Sequence, residues 1–99
     1  QKTNSGIDVV LELLYKPSFK KGMKKYKHNR VVLQELDIVI DLLTNEKPLP
    51  EKYRNHRLTG NYSGMIELHL RPDDLLIYFK IEKESITLVA IGSHADLFG

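Results

Sequence analysis

Residues 65–92, MIELHLRPDDLLIYFKIEKESITLVAIG, decide the fold. Met65, Leu68 and Leu70 belong to a first apolar run, which stops at Arg71-Pro72-Asp73. Leu75 to Ile81 is a dense second run, Glu82-Lys83-Glu84 is a polar turn, and Ser85 to Gly92 is a third run of Ile, Leu and Val. Three apolar runs separated by tight turns predict three consecutive antiparallel strands. Side chains alternate across a strand, so Leu68 and Leu70 face one side while Glu67 and His69 face the other, the exposed one.

Upstream, the pattern changes period. Val9 to Tyr15 reads as a strand, buried on both faces or nearly so. Lys16-Pro17-Ser18 interrupts it, with Ser18 as the expected N-cap of a short helix that carries Phe19, Met23 and Tyr26 on one side and is weakened by Gly22. After His28-Asn29, the residues Val32, Leu33, Leu36, Val39, Ile40 and Leu43 form a wide apolar stripe opposite Gln34, Glu35, Asp37 and Asp41, which predicts a longer amphipathic helix ending at Thr44-Asn45. Pro48 and Pro50 bracket a stiff connection. The expected architecture is α+β, in the order β-α-α-β-β-β, with a helical hairpin packed on a mostly antiparallel sheet. His94 to Phe98 is a tail that reads as a helical turn or an edge segment, with Ser93 available to cap it.

A chain of 99 residues accommodates one domain and a modest core. We assign it to residues 9–99 and treat residues 1–8 as a flexible lead-in or as residues foreign to the natural chain. With no cysteine, disulfides and thiolate zinc sites are excluded, and a reducing, cytoplasmic setting is expected. No stretch approaches the roughly 20 apolar residues of a membrane span. Net charge is only +2, but it is unevenly spread. Lys16, Lys20, Lys21, Lys24, Lys25, Lys27 and Arg30 crowd one segment; Lys52, Arg54 and Arg57 form a second. A lysine run can be no more than a solvated helix face. Two clusters flanking histidines favour a phosphate-bearing partner.

Histidine exchanges protons near neutrality, and three of the four lie in the second half: His56, His69 and His94. With Glu67 and Asp73, they form a candidate set for proton transfer on an anionic substrate. Plainer roles exist for each. His28 reads as a surface residue, Asp73 suits a turn after Pro72, Gly92-Ser93-His94 can simply stop a strand, and Phe98 can plug the core. His69, Asp73 and His94 are also suitable ligand types for zinc or manganese, but their spacing matches no metal motif. Neither metal nor cofactor is assigned.

The stretches Pro48-Leu49-Pro50, Tyr53-Arg54-Asn55-His56, Leu58-Thr59-Gly60, Glu67 to Asp73, Leu75-Leu76-Ile77-Tyr78 and Gly92 to Phe98 together resemble the YafQ-like branch of the RelE/ParE toxins. The resemblance extends from Val10 onward and is specific after Pro48. It implies a RelE-like, microbial ribonuclease-like fold and a bacterial toxin of a type II toxin–antitoxin system that cleaves messenger RNA, typically on the ribosome. Carried onto this sequence, the family pattern places catalytic weight on His56, His69, Asp73 and His94, an acid at Glu67, and an aromatic at Phe98. Cleavage by the RNA's own 2′-hydroxyl needs a base, an acid for the 5′-oxygen and positive charge on the phosphate, with no metal. The expected roles are His94 as acid, His69 as base oriented by Asp73 or Glu67, and His56 with Arg57 on the phosphate. Lys52, Arg54 and Arg71 would contact RNA, and Lys20 and Lys24 would grip ribosomal RNA. The implied partners are a cognate antitoxin, mRNA on the ribosome, and operator DNA only through the antitoxin complex, with no membrane.

Two positions depart from the family pattern. Ala90 stands where some relatives carry a phosphate-stabilising arginine, and Asp74 where relatives can carry a stacking tryptophan. Loss of one such charged contact can cost on the order of a hundredfold in rate. A weakened member that chiefly binds antitoxin and nucleic acid is therefore one alternative. A ParE-like gyrase inhibitor is another, although such a protein needs no set of histidines.

Overall fold

The computed structural model describes residues 10–99. Strand β1 (Glu12–Tyr15) leads into helix α1 (Pro17–Met23), a 3-10 turn (Lys24–Tyr26) and helix α2 (Arg30–Thr44). A second 3-10 turn (Glu51–Tyr53), the two-residue strand β2 (His56–Arg57) and a third 3-10 turn (Gly60–Tyr62) follow. Strands β3 (Ile66–Arg71), β4 (Asp74–Ile81) and β5 (Ser85–Gly92) form the expected meander, and helix α3 (His94–Phe98) follows them. The sheet order is β1-β5-β4-β3-β2. All neighbours are antiparallel except β1 and β5, which run parallel with Glu12 opposite Ser85. Residues 1–8 and Val9 lie outside the described residues, so the lead-in and the start of the predicted first strand have no structural counterpart here.

One core fills the space between the helices and one sheet face. Val32, Leu36, Val39 and Leu43 from α2 meet Leu68 and Leu70 of β3, Leu76 and Tyr78 of β4, and Ile86, Leu88 and Ile91 of β5. Phe19 and Tyr26 enter it from the first helical region and Tyr53 from the connection. The α2 stripe is the predicted one. Its N-cap is Asn29, whose side chain accepts from the Val32 amide at 3.1 Å.

The N-terminal part differs from expectation in three ways. First, β1 is a mostly exposed edge strand with only Leu13 half-buried, because a single parallel neighbour covers one side of it. Second, Lys16 is the N-cap of α1 and Pro17 takes the first helical turn, where a missing N–H costs nothing. The Ser18 hydroxyl instead donates to the Val89 carbonyl of β5. Third, α1 packs chiefly on β5. Gly22 sits so close that a Cβ there would collide with the Ile91 carbonyl oxygen. Proximity, more than helix weakening, explains that glycine.

Candidate active site

The second face of the sheet carries three of the candidate residues, His56, Glu67 and His69. His56 pairs directly with Glu67 across β2 and β3, and Glu67 and His69 share a face by strand alternation. Glu67 is not exposed as expected. It is 7% exposed, beneath two imidazoles and beside buried Ile77, its partner in β4.

Glu67 Oε1 lies 3.2 Å from His56 Nε2 and 3.5 Å from His69 Nε2. The opposite ring nitrogens face carbonyls: His56 Nδ1 is 2.7 Å from the Arg54 oxygen and His69 Nδ1 is 3.3 Å from the Pro72 oxygen. A carbonyl only accepts, so each Nδ1 carries a proton and each Nε2 is turned toward the carboxylate. Arg54 reaches this geometry in the left-handed region (φ 48°), which aims its carbonyl at His56.

These three donor atoms lie within 4.8 Å of one another. Two imidazole nitrogens and one carboxylate oxygen suit zinc or copper. This is a different grouping from the His69, Asp73 and His94 considered from sequence.

Asp73 does not orient His69. Its Oδ1 accepts the His94 backbone N–H at 3.0 Å, tying the β3–β4 turn to the start of α3. Asp74, the position of the missing tryptophan, accepts from the Tyr26 hydroxyl at 2.8 Å. Burial first, and this bond second, raise the Tyr26 phenol above its usual range. His94 opens α3 and packs against Phe98 at 5.1 Å with the rings tilted by 45°, and the Phe98 ring also meets Tyr62 edge-on at 5.3 Å. Phe98 therefore bridges the terminal helix and the segment entering β3. Leu75 pairs with both His69 and Gly92. With strands about 4.8 Å apart, the His69 and Gly92 backbones stand roughly 10 Å apart.

Of the predicted cations, Lys52, Arg54 and Arg71 line a cleft of about 360 Å³ beside His69, with Glu35, Tyr53 and Pro72. Lys52 is 3.5 Å from Glu35 and lies over the Tyr53 ring. The Tyr53 hydroxyl donates to Glu35 at 2.5 Å, which holds that carboxyl below its usual value, while burial and then this bond push the phenol up to about 12. Arg57 is not in this group. It follows His56 in an extended strand and points the other way, lining a depression with Asn55, Tyr78 and Lys80. Lys20 and Lys24 lie on α1 and the turn after it, away from the cleft lining, and His28 is exposed in the turn before α2.

Sequence reasoning missed Lys25 and Asp96, which meet at 2.7 Å. Asp96 also closes a capping box with Ser93, and Gly92 leaves the room for it. The Lys25 bond, followed by those from Ser93, lowers the Asp96 carboxyl to about 2. The Ser93-x-x-Asp96 spacing was the available signal for the box. Lys25 had none.

A family model described as "Bacterial toxin of type II toxin-antitoxin system, YafQ" matches residues 11–99. The chain is 32% identical over 89 residues to the mRNA interferase toxin YafQ of Escherichia coli K12, covering 89% of this chain and 96% of that one. Among solved structures, the E. coli DinJ–YafQ toxin–antitoxin complex aligns with a TM-score of 0.80 at 29% identity, over 92% of this chain and 100% of the other. A metal-bound toxin from Helicobacter pylori aligns with a TM-score of 0.80 at 37% identity, over 89% and 99% of the two chains.

Proposed function

Because the chain belongs to the YafQ family of bacterial toxins from type II toxin–antitoxin systems, we propose that it is an mRNA interferase, an endoribonuclease acting on messages held in the ribosomal A site. The observation that carries this reading is the convergence of His56 and His69 on one buried carboxylate, next to a cleft edged by Lys52, Arg54 and Arg71. Imidazoles and cations side by side are what phosphodiester cleavage without a metal requires.

In this reading, His69 takes the 2′-hydroxyl proton, with Glu67 holding the charge that develops on the ring. The 2′-oxygen attacks phosphorus, the bond to the 5′-oxygen breaks, and His94 in its protonated form gives that oxygen a proton. The products are a 2′,3′-cyclic phosphate and a 5′-hydroxyl. Lys52, Arg54 and Arg71 take the phosphate-binding role that the sequence reading gives to His56 and Arg57, because Arg57 faces away. Phe98, flanked by His94 and Tyr62, offers a stacking surface for a base. The ribosome supplies substrate alignment that a small open site lacks.

The E. coli relative is crystallised with the DinJ antitoxin; for this chain we infer a cognate antitoxin covering the cationic surface with acidic residues, with operator DNA reached only through that complex. Cytoplasmic action follows from the substrate. Among the described residues, no helix is long and apolar enough to cross a membrane.

Primer extension on a defined message in a translating extract tests the proposal. Cuts at fixed codon positions that need ribosomes and vanish with His94→Ala support it. Growth inhibition that survives His94→Ala without any cut overturns it.

A further inference from the structure

Helix α3 has five residues, too few to hold its shape alone, yet it carries His94. What holds it is a ring of contacts between three distant segments. Asp96 Oδ2 accepts both the Ser93 amide at 2.9 Å and Lys25 Nζ at 2.7 Å. Lys25 belongs to the 3-10 turn after α1, and the next residue, Tyr26, donates to Asp74. Neighbouring Asp73 accepts the His94 amide. The Lys24–Tyr26 turn, the residue 73–74 turn and the first turn of α3 are thus closed into one loop, and His94 is where it closes. Among the described residues, the His94 imidazole makes no hydrogen bond of its own. Its direction is set by the backbone beneath it and by Phe98.

We propose that Lys25 and Asp96 are positioning residues for His94: their ion pair pins the capping box of α3 to the first helical region and so fixes the imidazole against the bound phosphate. The inference rests on the assignment of His94 as the proton donor. Both side chains are about half exposed, 53% and 47%, and exposed pairs add little to global stability. The pair matters instead through where it holds a helix that has few other anchors. Lys25 is also one of the cluster that sequence alone would give to RNA binding, so the proposal separates it from Lys20 and Lys24.

Single-turnover cleavage of ribosome-bound message, at increasing toxin, reads the two roles apart. Lys25→Met is expected to lower the saturating rate on the order of tenfold, as small misplacement of a reacting group does, with half-saturation and the melting temperature unchanged. Lys25→Arg should restore the rate. Backbone amide relaxation of His94 by NMR, in the same full-length variants, should show new mobility in Lys25→Met. A raised half-saturation at unchanged saturating rate would make Lys25 an RNA contact and overturn the proposal, as would an ordered His94 in Lys25→Met. If His94 becomes mobile in Lys25→Met but His94→Ala cuts normally, the assignment of His94 as acid fails and the positioning role in catalysis falls with it.

Discussion

The two histidine sites of this protein are built in opposite ways. His56, Glu67 and His69 come from paired strands, with the carboxylate buried and both rings held by backbone carbonyls nearby in sequence. His94 sits on a short terminal helix, exposed, and is held by side chains from residues far away in the chain. The first site inherits its rigidity from the ladder. The second is assembled, and each contact holding it can be removed without touching the sheet.

The largest expected effect treats the sites as equals. His69→Ala and His94→Ala should each lower single-turnover cleavage by about 10²–10⁴-fold, the range of general acid–base catalysis. Either variant cutting at close to the wild-type rate would show that its histidine is dispensable. Smaller effects should separate the sites. Glu67→Gln should slow cleavage on the order of tenfold, because the charge facing both Nε2 atoms is gone. Added zinc should inhibit the wild type by occupying those nitrogens, and should inhibit Glu67→Gln less, while a chelator selective for transition metals, with Mg²⁺ kept for the ribosome, leaves the wild-type rate unchanged. Inhibition by that chelator would end the metal-independent reading.

Gly92→Ala addresses only the assembled site. Its Cβ would lie 2.9 Å from Asp96 Cβ, so the capping residue must shift. The expected cost is about 1–3 kcal/mol in urea unfolding, with His94 amide shifts moving and His69 ring shifts staying in place. The smallest effect is the response to acid. The Asp96 carboxyl is lowered in the folded state from 3.8 to about 2, so its contribution is complete above pH 3.8 and is lost as pH falls through about 2. The signal of the Ser93 amide, which donates to Asp96, should hold at pH 4 and shift between about 4 and 2, and Asp96→Ala should abolish that response.

The same contrast separates what was legible in sequence from what was not. Helix α2 and strands β3 to β5 announce themselves because each repeats its apolar period several times. Strand β2 has two residues and no period, so His56 reads as a loop residue and Arg57 as its companion. Once the strand is seen, alternation sends Arg57 to the opposite face. Glu67 reads as exposed because it lies on the polar face of its strand; its burial comes from the two rings laid over it. Asp74 reads as a lost stacking residue, yet it receives the Tyr26 hydroxyl. The tie between Lys25 and Asp96 has no local signature, since it depends on α1 lying along β5.

The parallel pairing of β1 with β5 has a consequence for synthesis. Glu12 must wait for Ser85 before it gains a sheet partner, and long-range pairing of this kind is slow to form. Until β5 emerges, the first strand is unpaired, and neither α3 nor Lys25's partner exists. The site around His94, which follows β5 in the chain, is therefore completed only after the last strand of the sheet has been made.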